Sequence, residues 1–522
     1  MTPLSELVEV SQRVSADAAR TTKIRELAAF LRTLTAAEIA VGVHYLSGET
    51  PQGRSGIGYA LLQRAAAGEA AVHSSLTLME VDRTLSEIAT LRGSGSATQR
   101  AQTLGNLFKR ATAAERQFLV ALLAGELRQG ALAGVMADAI AAAADLRPEQ
   151  VRHAAMYAGD LGAVARAALT GGAATLDQFH FELFSPVAPM LAQTAADVAE
   201  ALQTLPGELA FEWKMDGARI QVHKGGDEVR IFTRTLNEVT VALPELVDTV
   251  RGFAAESVVL DGEAIALDRN GRPLPFQITM RRFGRRLNVE QMRQELPMSA
   301  FFFDCLYLDG RSITDCPTSE RAAALSQAVP VGLRVPRLLT ASPAAALSFY
   351  EAALAAGHEG VMAKALEAPY QAGNRDARWL KIKRAHTLDL IVLAAEWGHG
   401  RRAGKLSNLH LGALDPATGE YVMLGKTFKG LTDAMLAWQT EAFLEREMRR
   451  DRGTVYVRPE LVVEIAFSDL QASPRYPGGL ALRLARVKRY REDKPAAEAD
   501  TMESVRRLYA AQSGTTGTSS ES

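Results

Sequence analysis

Residues 212–220 read EWKMDGARI, and this stretch opens a region of short β-rich runs. Two of these runs, ARIQVH (218–223) and EVRIFTR (228–234), flank Lys224-Gly225-Gly226-Asp227. That tetrapeptide predicts a β-hairpin, because glycine reaches positive φ at little steric cost. Helical stretches such as SPAAALSFYEAALAAG (342–357) intervene between later runs. Residues 190–384 are therefore predicted to form an α+β domain.

Lys214 is the unusual residue of the opening stretch. It stands in a strand-like context between Trp213 and Met215, although lysine avoids burial unless it is paired. One interpretation is a nucleophilic amine whose pKa is lowered by partial burial and by nearby cations. The other is a solvated lysine before a turn-forming Asp-Gly, which the stretch taken alone favours.

The chain before this region has a different texture. Residues 1–175 are rich in Ala and Leu, with apolar residues recurring at spacings of three and four, which predicts an all-helical domain. Thr35-Ala-Ala-Glu38 and Thr112-Ala-Ala-Glu115 both fit a capping box, in which threonine and glutamate satisfy each other's backbone N–H groups. Pro186, Pro189 and Pro206-Gly207 then mark a connector, since proline cannot continue a helix.

The chain after residue 384 becomes β-rich again. Four runs from Leu388 onward, LDLIVLAAEW, LHLGALD, EYVMLGKTF and ELVVEIAF, suit a small antiparallel barrel over residues 385–510. An OB-fold is the leading interpretation, although periodicity does not separate it from other five-stranded barrels. Residues 511–522, AQSGTTGTSSES, are small and polar and predict a disordered tail.

Composition restricts the class of protein. The 522 residues include 59 Lys plus Arg and 60 Asp plus Glu, and a net charge of -1 argues against bulk binding of polyanions. The same net charge is compatible with a nucleic-acid enzyme that has local basic surfaces. Two cysteines, Cys305 and Cys316, cannot build a disulfide scaffold or a four-cysteine zinc site, which predicts a reducing, cytoplasmic compartment. Because the sequence has no long apolar window, we expect it to contain no signal peptide and no membrane span.

Several charged and aromatic motifs follow Lys214 in a fixed order. They are Lys214-x-Asp216-Gly217-x-Arg219, Arg234 in FTRT, Asp261-Gly262-Glu263, Phe303-Asp304, Glu359-Gly-Val-Met-Ala-Lys364, Arg375 before Trp379-Leu-Lys381-Ile-Lys383, and Arg491-Glu-Asp493-Lys494. Their order and spacing resemble the nucleotidyltransferase motifs of ATP-dependent DNA ligases. The resemblance runs from the helical region to Lys494. It is greatest to bacterial and archaeal enzymes with an N-terminal helical DNA-binding domain, an ATP-grasp-like adenylation domain and an OB-fold.

The resemblance implies roles for the residues around the nucleotide. Lys214 would attack the α-phosphate of ATP, which releases pyrophosphate and leaves a lysyl-AMP. Glu212 would accept a hydrogen bond from the adenine amino group, and Phe303 would stack on the ring. Taken alone, Phe303 also fits a core phenylalanine, as Phe301 and Phe302 beside it do.

The resemblance also implies a set of phosphate contacts. Lys381 and Lys383 stand two apart on a strand, so they face the same side and can both meet phosphate oxygens. A surface strand with alternate lysines has the same pattern. Arg219, Arg234 and Arg375 match family arginines that contact ribose, phosphate or the DNA 5′-phosphate, roles that suit the planar guanidinium.

Two further groups complete the implied site. Glu263 and Glu359 would hold Mg²⁺, a hard cation that prefers carboxylate and phosphate oxygens, and Glu263 would also contact the nucleotide. As single residues they would more commonly be solvated strand-end acids, and only their place among the motifs favours the metal. Arg491 and Lys494 would orient the leaving pyrophosphate during adenylation. The family pattern before them is Phe-Pro-Arg, whereas this chain has Leu484-Ala485-Arg486.

Other segments suggest contacts with DNA. The stretches LSGE (46–49), GELRQG (125–130) and AGDLG (158–162) match the family's helical domain, where Arg128 and Gly130 would approach the backbone. The basic run Arg281-Arg282 with Arg285-Arg286 fits a DNA contact and a solvated face equally well. GHGRRAGKL (398–406) and KTFKGL (426–431) also resemble family segments that can meet phosphate.

The sequence thus predicts an ATP-dependent DNA ligase. It would seal 5′-phosphate, 3′-hydroxyl nicks through a lysyl-AMP and an adenylated DNA 5′ end, with ATP, Mg²⁺ and nicked duplex DNA as partners. It would act as a monomer in the cytoplasm, associated with the nucleoid when on DNA, in replication, repair or recombination.

Three alternatives are weaker. An NAD-dependent ligase would carry a four-cysteine zinc module, which two cysteines cannot supply. An RNA ligase or capping-type guanylyltransferase shares the Lys-x-Asp-Gly motif, but it normally lacks the helical domain. A catalytically idle scaffold that binds DNA ends would not need Lys214 with Lys381 and Lys383 intact.

Overall fold

The computed structural model describes residues 1–53, 56–93, 95–127, 129, 133–283, 288–371, 375–384, 386–398, 402–451 and 453–513. The chain divides into two compact units, Met1–Ile382 and Lys383–Ser522. No helix in the described ranges has the length and apolar character needed to span a bilayer.

Helices form the first part of the first unit. They are α1 (Leu4–Ala16), α2 (Arg20–Leu31), α3 (Ile39–Ser47), α4 (Tyr59–Ala66), α5 (Leu78–Thr90), α6 (Ser96–Arg110), α7 (Ala113–Leu123), α8 (Ala133–Ala144), α9 (Pro148–Ala158), α10 (Leu161–Gly171) and α11 (Ala173–Leu176). Their apolar faces meet in one core that includes Leu7, Tyr45, Phe108 and Ile140. The predicted helical region is therefore present.

One of the two predicted capping boxes is confirmed. The Thr112 side chain accepts from the Glu115 N–H, and the Glu115 carboxylate accepts from the Thr112 N–H, at the start of α7. The prediction at Thr35 is confirmed only in part: the Glu38 carboxylate accepts from the Thr35 N–H, but the Thr35 hydroxyl does not accept from the Glu38 N–H, and α3 begins only at Ile39. Glu38 lies buried there, and its carboxylate accepts from the N–H and hydroxyl groups of Thr2 and Thr35.

Replacement of Glu38 tests this buried carboxylate. Glu38→Gln is expected to lower the free energy of unfolding by about 1–3 kcal/mol at pH 7, because the N–H and O–H groups lose a charged acceptor. Burial by itself raises the pKa of Glu38, but the hydrogen bonds from Thr2 and Thr35 outweigh burial and hold the pKa at about 2. Since that pKa is lowered, the ionised carboxylate makes its full contribution to the free energy of unfolding above the ordinary pKa of 4.5. This contribution is lost as the pH falls toward 2. Urea unfolding at pH 7 and pH 3 checks this, and an equal difference between variant and wild type at both pH values would contradict it.

Two five-stranded sheets form the rest of the first unit. The elements are β1 (Leu191–Thr194), α12 (Val198–Thr204), β2 (Leu209–Lys214), β3 (Ala218–Gly225), β4 (Glu228–Thr233), α13 (Pro244–Arg251), β5 (Ser257–Ala266), α14 (Phe276–Phe283), α15 (Val289–Glu295), β6 (Met298–Leu308), β7 (Arg311–Ser312), α16 (Thr318–Ala328), β8 (Arg337–Thr340), α17 (Pro343–Ala355), β9 (Gly360–Ala365) and β10 (Arg375–Lys383). The strand orders are β1-β10-β9-β2-β8 and β4-β3-β5-β6-β7.

The opening stretch links these two sheets. β2 belongs to the first sheet and β3 to the second, so the residues Met215–Gly217 cross between them. The predicted hairpin is present, since β3 and β4 pair antiparallel with Gly225 opposite Glu228 and Gly226 at a φ of 57°. The motif at Lys214 thus lies where the chain passes from one sheet to the other.

The second unit is β-rich but not all-β. Its elements are β11 (His386–Trp397), β12 (Leu406–Asp415), β13 (Glu420–Thr427), α18 (Asp433–Glu445), β14 (Glu447–Arg450), β15 (Thr454–Val457), β16 (Val462–Phe467), β17 (Asp469–Ala472), β18 (Leu480–Arg483), β19 (Arg486–Tyr490) and α19 (Met502–Ser513). The long strand β11 pairs with β12, β15 and β16, and β16 pairs with β19.

The two helices correct the all-β prediction. Thr432 caps α18 by accepting from the Met435 N–H, a start signal that the surrounding β-rich runs had obscured. Helix α19 extends to Ser513, so residues 511–513 are helical rather than part of a tail. Residues 514–522 of the predicted tail lie outside the described residues.

Candidate active site

Lys214 lies in a partly enclosed position beside Glu359. It ends β2 opposite Gly360 of β9, and the Glu359 N–H donates to the Lys214 carbonyl oxygen over 3.0 Å. The Lys214 ammonium forms an ion pair with the Glu359 carboxylate. Only 24% of the Lys214 side chain and 15% of the Glu359 side chain are exposed. The interpretation of Lys214 as a solvated lysine is therefore wrong.

The predicted direction of the Lys214 pKa is also wrong. Burial lowers the pKa of the amine, but attraction to Glu359 and then to Glu263 outweighs burial and raises the pKa above its ordinary value. Sequence neighbours suggested cations around the lysine, whereas the fold places carboxylates there. A role as a nucleophile would therefore need the charge of these carboxylates to be neutralised.

Glu263 is the second carboxylate of this group. It lies on β5 opposite Arg219 of β3. Burial raises the pKa of Glu263 to about 7, with Lys214 and Arg219 opposing the rise and Glu359 adding to it. Two carboxylates that repel each other beside one lysine form a donor set that suits a divalent cation. The described ranges contain no group of three or more His, Cys, Asp or Glu side chains that could hold a metal ion. Mg²⁺ fits this pair because it commonly takes one or two carboxylates and completes its shell with substrate phosphates.

Two glycines allow the close backbone contacts of this site. A Cβ atom on Gly217 would lie 2.5 Å from the Ala264 carbonyl oxygen and 2.8 Å from the Glu263 Cγ. Gly360 has a φ of 140°, and a Cβ there would lie 2.1 Å from the Ile382 carbonyl oxygen. Glycine at these positions is what allows the loop after Lys214 and the start of β9 to pack against their neighbours.

Arg219 is held in place from several sides. Its Nη2 donates to the Asp261 carboxylate over 2.6 Å, and its Nη1 donates to the Met190 carbonyl oxygen over 2.7 Å. The Tyr370 hydroxyl donates to the same Asp261 oxygen over 2.6 Å. Sequence reasoning missed Tyr370 and the role of Asp261, because their contacts with Arg219 join residues that are far apart in the chain. The guanidinium also lies 5.3 Å from the ring centre of Phe303.

Glu212 is almost completely buried and is paired with two cations. Arg337 of β8 donates to Oε1 from Nε over 2.8 Å and also from Nη2, while the Lys364 ammonium lies 2.6 Å from Oε2. A carboxylate offers about four acceptor positions, so these bonds leave about one for a further donor. A single bond from an adenine amino group is compatible with that capacity.

Lys364→Met tests the buried pair with Glu212. The exposed fraction is 1% for the lysine side chain and 2% for the glutamate side chain, so removal of the lysine leaves this buried carboxylate with Arg337 as the remaining one of its two cations. The free energy of unfolding should fall by about 3 kcal/mol. Urea unfolding measures this, with the exposed Lys109→Met as the matched control. The double variant with Glu212→Gln should recover much of the loss, and an unchanged single variant would contradict the pairing.

Phe303 is half-buried on β6, between charged neighbours. The Lys364 ammonium lies 4.9 Å from its ring centre, and Trp379 meets it edge-on at 6.4 Å. Phe302 is fully buried as predicted, but Phe301 is only half-buried. Asp304 points into the core, where Arg321 of α16 binds both of its oxygens at 2.8 and 3.1 Å.

The remaining predicted phosphate-binding residues of the central region occupy two places. Arg234 is exposed in the turn after β4, and with Arg219 and Asp261 it lines a small pocket. Lys381 and Lys383 alternate on β10 with the buried Ile382 between them, which confirms that they share one side of the strand. Arg375 begins β10, and its side chain lies outside the described residues.

Comparison with known proteins now identifies the family. Three family models match: "DNA ligase N terminus" over residues 58–141, "ATP dependent DNA ligase domain" over 189–383 and "ATP dependent DNA ligase C terminal region" over 402–494. A protein named "Probable DNA ligase" from Anaeromyxobacter dehalogenans is 60% identical over 509 residues, which cover 97% of this chain and 99% of the relative. One from Sorangium cellulosum is 54% identical over 508 residues, which cover 97% of this chain and 95% of the relative. The chain belongs to the ATP-dependent DNA ligase family.

A solved structure has a fold similar to that of this ligase over most of the chain. The structure described as "Pmar-Lig_Pre." aligns with 93% of this chain and 99% of its own, with a TM-score of 0.60 at 15% identity. At that identity the similarity concerns the fold alone.

The C-terminal motif of the ligase lies in the second unit. Arg491 donates from Nη1 to the Asp389 carboxylate over 2.9 Å, and the Lys494 ammonium donates to the same oxygen over 2.8 Å. Asp493 accepts from the other edge of the Arg491 guanidinium. Sequence reasoning missed Asp389, whose only local signal is an acidic residue within the apolar run LDLIVL.

The predicted DNA contacts of the ligase are partly corrected. Arg282 is 1% exposed and binds the carbonyl oxygens of Leu296 and Ala242 and the carboxylate of Glu245, so it is not a DNA contact. Arg281 beside it is exposed. Among the other predicted positions, Arg128, Gly130, Arg285, Arg286 and residues 399–401 lie outside the described residues.

Proposed function

We propose that this protein seals 5′-phosphate, 3′-hydroxyl nicks in duplex DNA with ATP, and that Lys214 is its nucleophile. The observation that carries the proposal is the position of Lys214, partly buried and ion-paired with Glu359 in the electrostatic field of Glu263. An idle DNA-binding scaffold has no need for a charged lysine and two carboxylates in one enclosed place, because burial of charged groups is costly.

In the first step the neutral Lys214 Nζ attacks the α-phosphorus of ATP. A nitrogen–phosphorus bond forms, the bond to the pyrophosphate oxygen breaks, and one amine proton leaves. Mg²⁺ held by Glu263 and Glu359 would neutralise charge on the phosphates and on both carboxylates. Once the negative charge of these carboxylates is neutralised, it no longer stabilises the ammonium form, and the amine loses its proton more readily.

The next two steps move AMP and then close the nick. An oxygen of the DNA 5′-phosphate attacks the AMP phosphorus, so the bond to Lys214 breaks and a phosphoanhydride forms. The 3′-oxygen then attacks the 5′-phosphorus and displaces AMP. Lys381 and Lys383, with Arg219, Arg234 and Arg375, are proposed to bind the phosphate and ribose oxygens in these steps. This role suits Arg219, because Asp261 and Met190 already fix its guanidinium.

Adenine recognition is proposed for Glu212 and Phe303. The acceptor capacity left on Glu212 supports a bond from the adenine amino group, which guanine does not offer at that position. The half-buried ring of Phe303 gives a surface for stacking, and the two lie near each other through their common neighbour Lys364.

Three domains are proposed for these steps. Residues 1–175 would grip DNA, residues 190–384 would carry out adenylation, and residues 385–510 would form an OB-fold. The long strand β11 pairs with β12 along one edge and with β15 and β16 along the other, which supports a strongly curled sheet of the OB type. We further propose that the barrel rotates between adenylation, when Arg491 and Lys494 meet pyrophosphate, and sealing. The protein would work as a monomer on DNA in the cytoplasm, with its role among replication, repair and recombination left open.

Sealing of matched substrates tests the proposal. Nicked duplexes with DNA or RNA at the broken strand are incubated with ATP and Mg²⁺, and joined product is resolved on a denaturing gel. We expect joining of the DNA nick and far slower joining of the RNA nick. The reverse preference would favour an RNA ligase, and no joining of either substrate would favour the scaffold.

A further inference from the structure

Asp389 lies where the strand pairing of the second unit meets the C-terminal motif. It is on β11 opposite Glu464 of β16, and Glu464 is opposite Arg489 of β19. Arg491 follows β19 directly, and its N–H donates to the Val462 carbonyl oxygen over 2.9 Å. Register therefore brings an acid from the first strand of this unit to a motif near its end.

One oxygen of Asp389 binds both cations of that motif. Its Oδ2 accepts from the Arg491 Nη1 over 2.9 Å and from the Lys494 Nζ over 2.8 Å. Asp493 binds the opposite edge of the same guanidinium, but 63% of its side chain is exposed, against 13% for Asp389. The more enclosed Asp389 is therefore the more rigid of the two attachments.

The backbone of Asp389 is itself fixed. Its N–H donates to the Asp500 Oδ2 over 2.8 Å, and its carbonyl oxygen accepts from the Asp500 N–H over 2.8 Å. The Ser504 hydroxyl holds the other oxygen of Asp500 at 3.1 Å. These bonds leave the carboxylate little freedom to shift when a phosphate approaches the two cations.

We propose that Asp389 is a positioning residue for adenylation: it holds Arg491 and Lys494 at one spacing, so that both meet the same leaving pyrophosphate. This inference rests on the proposed function. Two long cationic side chains repel each other and sample many rotamers, and a shared carboxylate removes both obstacles before ATP binds. The bonds to Asp389 and Asp493 engage three of the five guanidinium N–H groups and one of the three ammonium N–H groups. The others remain for phosphate oxygens.

Rates of the separate steps test Asp389 in the full chain. Asp389→Asn should slow single-turnover self-adenylation by about 10- to 100-fold, a loss typical of misplaced catalytic groups. Sealing of a pre-adenylated nick should stay within about twofold of wild type, because pyrophosphate has already left. Asp389→Glu keeps the charge and should recover part of the adenylation rate.

A matched control separates positioning from stability. Asp415 of β12 pairs with Arg506 at 2.7 Å in the same unit and is similarly enclosed, so Asp415→Asn removes a comparable ion pair. It should leave adenylation unchanged. Equal losses in the two variants, or an equal loss in both steps for Asp389→Asn, would overturn the proposal in favour of a structural role.

Chemical labelling of Lys494 gives a readout apart from activity. With an amine-acetylating reagent and mass spectrometry, Lys494 should react several-fold faster in Asp389→Asn than in wild type, while Lys429 reacts equally in both. Unchanged Lys494 reactivity would overturn the inference even if the variant is slow. If the wild-type protein takes no label from ATP, both the proposed function and the role of Asp389 are refuted. If the wild type is labelled normally and Asp389→Asn is labelled at the same rate, only the role of Asp389 is refuted.

Discussion

Lys214→Ala is expected to take up no label from α-labelled ATP, a loss of at least about 10⁴-fold in self-adenylation. No other described amine has the same surroundings, because Lys214 alone ends β2 beside Glu359 and Glu263. The measurement is transfer of radioactivity to the denatured protein with time. The variant should still bind nicked duplex DNA, since the helical region that is proposed to grip DNA is unchanged.

The matched control for this experiment is Lys214→Arg. Arginine retains the positive charge opposite Glu359, but its guanidinium stays protonated and cannot act as the nucleophile. Its unfolding temperature should stay near that of wild type, and its labelling should be as low as that of Lys214→Ala. Labelling retained in either variant would move the nucleophile to another residue.

Lys494→Ala is expected to lose self-adenylation by about 10²- to 10³-fold, the usual cost of removing one group that stabilises developing charge. Sealing of a pre-adenylated nick should change by no more than about threefold, because that step has no pyrophosphate to stabilise. The two rates are measured separately in single-turnover experiments, with labelled ATP for one and a synthetic adenylated nick for the other.

Arg507→Ala serves as the control for Lys494→Ala. Arg507 is an exposed cation on α19 of the same unit, so its removal changes the net charge equally. It should leave both rates near wild type. Equal losses in the two steps for Lys494→Ala would refute its assignment to the first step.

Local patterns predicted most of the secondary structure near the site. The hairpin of β3 and β4 followed from alternating apolar residues around Lys224–Asp227, where the turn chemistry is contained in the tetrapeptide itself. Helix α18 was missed because it lies between strands whose apolar runs dominate that region. The burial of Arg282 was not predicted, because its partners, the carbonyl oxygens of Ala242 and Leu296 and the carboxylate of Glu245, come from other elements of the fold.

Partners that are distant in sequence could not be predicted in this way. The resemblance supplied Glu212, Arg219 and Lys494, but the residues that hold them, Arg337, Tyr370 and Asp389, are brought to them by the fold from distant parts of the chain. The pKa of Lys214 was predicted in the wrong direction for the same reason. Its dominant charged neighbour, Glu359, lies just before β9, far along the chain.

The most direct test of the account offers the wild-type protein one nucleotide at a time. With Mg²⁺ present, it is incubated with α-labelled ATP, GTP or adenylate-labelled NAD, and the protein is then examined for covalent label. The account predicts label from ATP, little from GTP because Glu212 offers an acceptor to the adenine amino group, and none from NAD. Labelling from NAD but not from ATP, or no labelling from any of the three, would contradict it.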